Sequence, residues 1–178
     1  MLNASDSFHK LKARACSVKV LITDVDGVLT DGKFFYSNDG KVLKQFGAHD
    51  SDGLKLLRSM GVMVKAITAD KRGFSITKRR LDDMGLSLEL VSEIERLNWM
   101  KQNCLSEQTA FVGDGIHDAA VMKWCNFSFA PKNAVAFAKK HATQTLEVAG
   151  GEGVLLEVAL QLLKLRNIEQ YSKLEAFE

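Results

Sequence analysis

Residues Val18 to Thr23 form an apolar, β-branched run that stops at two carboxylates, Asp24 and Asp26, spaced two apart. Near-continuous apolar strands of this kind belong to parallel sheets covered on both faces. A buried strand does not end in unpaired charge unless something cationic meets it there. In an open α/β sheet the carboxyl end of a strand is where ligands sit, so Asp24 and Asp26 are expected at the mouth of a site. Gly27 then lets the chain turn away with no side chain in the way. An ordinary Asp-Gly turn would account for Asp26-Gly27 alone. Two aspartates, the glycine and a second Asp-Gly pair at Asp31-Gly32 together point to a ligand site.

The rest of the chain repeats the alternation. Apolar segments of strand length alternate with segments of helical period, the signature of βαβ units and a parallel sheet. Strands are expected at Val62–Thr68, Leu86–Val91, Thr109–Val112, Asn126–Ala130 and Thr143–Val148. Helices are expected from Asp50 or Ser51 to Gly61, up to Met84-Gly85, over 93–103, and from Gly153 to about Asn167. One segment interrupts this rhythm. Lys33–Ser37 and Lys41–Phe46 flank Asn38-Asp39-Gly40, a composition suited to a tight reversal, so a β-hairpin is expected over about 33–46. The 178 residues, 46% of them hydrophobic, suit one domain with a sizeable core. The polar tail over about 168–178 is expected to be disordered or to reach a neighbouring active site.

Composition narrows the function classes. A net charge of +2 on 26% charged residues gives no electrostatic reason to expect nucleic acid as partner. Three irregularly spaced cysteines, Cys16, Cys104 and Cys125, argue for reduced thiols rather than a disulfide framework or a zinc site. The first residues carry no apolar leader segment, and no uncharged run approaches the ~18 residues a membrane span needs. A cytoplasmic protein with a small-molecule ligand and no membrane partner is the expectation.

Four loops follow strands at their carboxyl ends and so share one edge of the sheet. They carry Asp24 and Asp26, Thr68, a basic residue near Arg96, and Asp114 with Asp118. Carboxylates converging in one crevice repel unless they hold a hard divalent cation, and oxygen-only ligation points to Mg2+. A hydroxyl and a basic side chain aimed at the same point suit a phosphoryl group. The assembly fits phosphoryl transfer with an aspartyl nucleophile.

These residues resemble a known family. Asp24-Val25-Asp26-Gly27-Val28-Leu29-Thr30-Asp31-Gly32, Ile67-Thr68, and Gly113-Asp114-Gly115 with Asp118 are similar to the motifs of the haloacid dehalogenase (HAD) superfamily of phosphohydrolases. The short insertion after the first motif, and Ala149-Gly150-Gly151-Glu152-Gly153 before the last helix, resemble its capless subgroup of 3-deoxy-D-manno-octulosonate (KDO) 8-phosphate phosphatases and related nonulosonate sugar phosphatases. The likeness runs over roughly residues 15–165.

The resemblance implies a three-layer, Rossmann-like α/β fold with a hairpin flap and no cap domain. It implies Asp24 as nucleophile and Asp26 as general acid and then base. It implies Mg2+ held by the Asp24 and Asp114 carboxylates and the Asp26 carbonyl, with Asp118 close behind, and Thr68 on the phosphoryl oxygens. The family's phosphate-neutralising lysine is not evident in Ser92–Lys101; Arg96 is the expected replacement and Lys101 the second candidate. The family's Thr-Gly-Arg is here Thr68-Ala69-Asp70, which moves the expected substrate from KDO 8-phosphate toward a related acidic sugar phosphate such as a nonulosonate 9-phosphate. Gly27, His49, Asp50, Lys71 and Gly151 are expected at the substrate. With no lid domain, the subgroup's homotetramer is expected, hairpins packed together, and Phe34-Phe35-Tyr36 suit that use. The runner-up function, resting on the altered third motif, is a catalytically weak module that assembles with a nucleotide-sugar-forming cytidylyltransferase.

Overall fold

The computed structural model describes residues 4–166. Six parallel strands, β1 (Val20–Thr23), β4 (Met63–Thr68), β5 (Ser87–Leu90), β6 (Thr109–Val112), β7 (Phe127–Ala130) and β8 (Gln144–Thr145), form one sheet in the order β5-β4-β1-β6-β7-β8. A separate antiparallel hairpin, β2 (Thr30–Ser37) and β3 (Gly40–Phe46), leaves the end of β1. This is the expected α/β architecture, and no cap domain intervenes among the described residues. β1 is central because it pairs with both β4 and β6, so its carboxyl end lies where the strand order reverses.

Alternation along the strands feeds two cores. Leu21, Ala66, Ala110, Val112, Phe127 and Phe129 point to one face, where α1 (Ala4–Ser17), α2 (Asp50–Ser59), α3 (Phe74–Asp83) and α7 (Val154–Arg166) bring Ala15, Leu54, Leu57, Leu81, Val158 and Leu162. Ile22, Ile67 and Phe111 point to the other, against Met100 of α4 (Arg96–Asn103), Val121 and Met122 of α5 (Asp118–Trp124) and Ala138 of α6 (Ala136–His141). The strands at the centre of the sheet, β1, β6 and β7, thus have helices on both faces, which is why they read as largely apolar runs.

Three elements depart from expectation. Helix α1 was not anticipated: its core-facing positions, Leu11 and Ala15, are spaced four apart among Lys10, Lys12 and Arg14, too thin a stripe to stand out. It is pinned instead by polar contacts. Arg14 donates to the Asn126 carbonyl (2.6 Å) and the Thr143 hydroxyl (3.1 Å), and Asn126 returns a bond to the Arg14 carbonyl. Strand β8 keeps only two residues, because Leu146 turns into the core after one further bond to Ala130. Helix α4 begins at Arg96 rather than residue 93, since Ser92–Glu95 closes a turn of its own. No described helix is long and apolar enough to cross a membrane. The tail over about 168–178 lies outside the described residues.

Candidate active site

The loops after β1, β4, β5 and β6 meet in a cleft of about 380 Å³ lined by Asp24, Asp26, Thr68, Arg96, Asp114 and Asp118 among others. Its centre is an ion-pair fork. Arg96, only 3% exposed, enters from the first turn of α4 and sets its two terminal nitrogens on the two oxygens of Asp24, at 3.0 and 3.2 Å. The same guanidinium donates to Asp118 Oδ1. A planar fork matches a carboxylate in a way that an ammonium does not, so the arginine holds the carboxyl plane of Asp24 as well as its charge. Lys101, the other candidate, does not line the cleft.

Asp118 also shapes the loop it follows. Its second oxygen accepts from the amides of Asp114 (3.0 Å) and Gly115 (2.8 Å), folding Gly113–Asp118 into a tight turn that delivers the Asp114 carboxyl to the cleft. Gly27 makes room for it. With φ of +87°, Gly27 presses so close that a β-carbon there would lie 2.1 Å from Asp114 Oδ2. Behind it, Asn133 donates to the Gly27 carbonyl (3.1 Å) and accepts from the Gly150 amide (2.7 Å), locking the glycine-rich loop before α7 onto the β1 loop. A β-carbon on Gly150 would meet the Gly27 carbonyl oxygen at 2.1 Å.

Charge in the cleft is unbalanced. Burial, opposed by Arg96 and reinforced by the charges of Asp118 and Asp114, pushes Asp24 up to about 7. Burial and Asp118 likewise push Asp114 up to about 6. One carboxylate oxygen from each of Asp24, Asp114 and Asp118 lies within 4.8 Å of the others, and one guanidinium cannot satisfy all three. An all-oxygen cluster short of positive charge has the chemistry to hold a hard divalent cation.

The far wall was not foreseen. Lys44 of β3 is buried with its ammonium 2.8 Å from Asp26 Oδ1 and 2.8 Å from Asp70 Oδ2. Lys41 reaches the same Asp70 oxygen at 2.5 Å and lies 3.4 Å from the ring centre of Phe34. Against the upward push of burial, hydrogen bonds from Lys41 and Lys44 hold Asp70 down at about 2. The signal available in sequence was the period of β3, which puts Lys44 on the face of Phe46, a residue that packs on the core. Thr68 is buried beside them, its hydroxyl 3.5 Å from Asp26 Oδ2 and accepting from the Asp70 amide at 3.1 Å.

None of the five residues expected at the substrate, Gly27, His49, Asp50, Lys71 and Gly151, lines the cleft of this chain. Asp50 is 2% exposed and accepts from the Leu155 amide at 2.8 Å, so it caps α7 rather than facing a ligand. His49 precedes it and packs its Cβ against Gly153. Lys71 lies in an exposed turn closed by its amide on the Ala69 carbonyl. Gly151, at φ +77°, donates to the Val28 carbonyl (2.9 Å) and packs on Thr30 and Asp31. Gly27 touches Asp114 and is itself covered by it.

No family model matches the chain. It is 33% identical over 153 residues to the 3-deoxy-D-manno-octulosonate 8-phosphate phosphatase of Haemophilus influenzae, an alignment covering 83% of this chain and 84% of that protein. The cobalt-bound structure of the Haemophilus influenzae phosphatase superposes with a TM-score of 0.75 at 31% identity, over 88% of this chain and 92% of that one. A phosphatase from Moraxella catarrhalis, solved with magnesium, phosphate and KDO, shares the fold at TM-score 0.81 and 22% identity, over 95% and 98% of the two chains. Motif order, sheet topology and overall identity therefore agree, and the chain belongs to the 3-deoxy-D-manno-octulosonate 8-phosphate phosphatase family of the HAD superfamily.

Proposed function

We propose that this protein is a Mg2+-dependent phosphatase that hydrolyses a phosphomonoester of an acidic sugar, KDO 8-phosphate or a related nonulosonate 9-phosphate, through an aspartyl-phosphate on Asp24. The observation that carries the reading is the Arg96 fork on Asp24 beside the Asp114–Asp118 pair, at the carboxyl end of the central strand. The same fork removes the ground for the assembly-module alternative, which rested on the third motif lacking a usable cation.

In this reading an Asp24 oxygen attacks phosphorus; each oxygen accepts a bond from Arg96 yet keeps a lone pair for the attack. The P–O bond to the sugar breaks and Asp26 passes its proton to the departing oxygen. Asp26 then takes a proton from the water that cleaves the aspartyl-phosphate, one group serving as acid and base in turn. Arg96 and the Thr68 hydroxyl donate to the phosphoryl oxygens, where negative charge gathers. Mg2+, held by the Asp24 and Asp114 carboxylates and the Asp26 carbonyl with Asp118 behind, would supply charge neutralisation at those oxygens.

We also infer one catalytic domain over the whole chain, roofed by neighbouring copies in a homotetramer. Support comes from the hairpin, which exposes Phe35, Tyr36 and Leu43 at 55%, 59% and 59%. Contiguous exposed apolar side chains of that kind mark association surfaces. The three free cysteines fit a reducing, cytoplasmic setting.

The test is phosphate release from a panel of sugar phosphates including KDO 8-phosphate and nonulosonate 9-phosphates, with and without Mg2+, with Asp24→Asn as control. Mg2+-dependent release that vanishes in the variant is the expected result. A folded protein that releases phosphate from none of them overturns the reading.

A further inference from the structure

Strand β3 is inside out: it exposes Val42 and Leu43 and buries Lys44, whose side chain retains no exposure at all. A buried ammonium is costly unless all its protons find partners. Here they do. The Lys44 ammonium lies 2.8 and 3.0 Å from the two oxygens of Asp26, 2.9 Å from the Thr77 hydroxyl and 2.8 Å from Asp70. Asp70 is held in turn by Lys41 and by the Gly73 amide at 3.0 Å. The ammonium is thereby triangulated by α3, the loop after β4 and the hairpin. Asp26 has little else. Among the described residues, only the Thr68 hydroxyl, at 3.5 Å, also reaches its carboxyl group.

We propose that Lys44 is a positioning residue for Asp26, holding its carboxyl group where it can exchange a proton with the leaving sugar oxygen, so that the hairpin takes part in the chemical step. The proposal rests on the acid and base role given to Asp26 above. When an Asp24–phosphorus bond forms and the sugar–oxygen bond to phosphorus breaks, an alkoxide leaving group needs the Asp26 proton. A 4-nitrophenolate leaves without one. Loss of Lys44 should therefore discriminate between leaving groups, which general damage to the site would not.

The experiment compares wild type, Lys44→Met, Asp26→Asn and the double variant in the full chain with Mg2+. It uses the best sugar phosphate of the panel and 4-nitrophenyl phosphate. With Lys44→Met, kcat on the sugar phosphate should fall about 10- to 100-fold with KM within about twofold, within the range general acid–base catalysis supplies. The first-turnover burst of nitrophenolate should stay within about threefold of wild type. On the Asp26→Asn background the second substitution should change kcat by less than about twofold. Equal losses on both substrates, an effect confined to KM, or additive losses in the double variant would overturn the proposal. Should Lys44→Met fail to fold, Thr77→Val removes one of the ammonium's acceptors and must show the same selectivity at smaller size. A Thr77→Val protein that is less stable but kinetically unchanged would make the contact purely structural and sink the idea. A wild type inert on both substrates discards the phosphatase reading together with this one, whereas an active wild type matched by Lys44→Met discards this one alone.

Discussion

The central sheet and the hairpin follow opposite rules. In β1, β6 and β7 the apolar side chains past Val20, Ile22, Phe111 and Phe129 among them, are wholly buried, and the charged residues wait at the strand ends. In β2 and β3 the apolar side chains other than Phe46 are exposed and a lysine is sealed inside. The difference follows from what each element covers. The sheet is covered by helices, so water exclusion selects apolar residues on both of its faces. The hairpin covers a cleft full of carboxylates, so its inner face supplies cations, and its outer face leaves Phe35, Tyr36, Val42 and Leu43 exposed.

The two rules can be separated experimentally, and the largest effect belongs to neither core but to the strand end between them. Asp24→Asn should lower phosphate release on the order of 10⁶-fold, the scale seen when a nucleophile is removed; near-normal turnover would place the covalent step elsewhere. Phe111→Ala, within the sheet, should cost about 3–5 kcal/mol in urea unfolding, because a large side chain closed in by α4 and α5 leaves a cavity. Arg96→Lys keeps the charge but loses the fork on Asp24, and a drop in kcat of about 10-fold is expected from steady-state rates. An unchanged kcat would reduce the arginine to a point charge.

A smaller effect tests burial of charge away from the site. Burial lifts Asp50 from 3.8 to about 6, against the Leu155 amide that it accepts from. A raised carboxyl stabilises the fold fully below its unfolded value, and that contribution fades as pH rises through the folded one. Asp50→Asn keeps an oxygen for the Leu155 amide without the charge. Its urea midpoint should therefore exceed that of wild type at pH 8, by an amount equivalent to about 1–2 kcal/mol, and match it near pH 4. A gain at both pH values would assign the effect to packing. The smallest change in subunit stability, below about 0.5 kcal/mol, is expected for Phe35→Ser on the hairpin's outer face. The same substitution should shift the sedimentation profile toward smaller species, and an unaltered profile would remove the hairpin from the interface.

What the sequence displayed follows the same division. The β1 run, the Asp24–Asp26 spacing and the Gly113-Asp114 turn were legible because both the burial of parallel strands and the collection of carboxylates leave a pattern within a few residues. Arg96 was legible by its place after β5. Lys41, Lys44 and Asp70 were not. A lysine in an amphipathic hairpin is ordinarily read as the solvent side, and its partner lay 18 residues away for Asp26 and 26 for Asp70. Asp50 misled for a related reason: an aspartate at the start of a helix suggests a cap for that helix or a ligand contact, whereas its partner is the amide of Leu155, 105 residues on. Helix α1 escaped because what holds it, Arg14 on Asn126 and Thr143, is equally non-local.

Arg166, near the end of α7, donates to the carbonyls of Ala15 (3.1 Å), Val18 (2.7 Å) and Met60 (3.3 Å). One guanidinium thus closes the end of α1, the entry to β1 and the end of α2, across separations of up to 151 residues. Because β1 also needs β6 beside it, this central strand acquires its second neighbour only once residue 109 is made and its final clasp only at 166. Such long closures slow folding. The apolar run of β1 thus lacks its full set of neighbours until most of the other strands have been made, and a chain held at that stage presents it to chaperones.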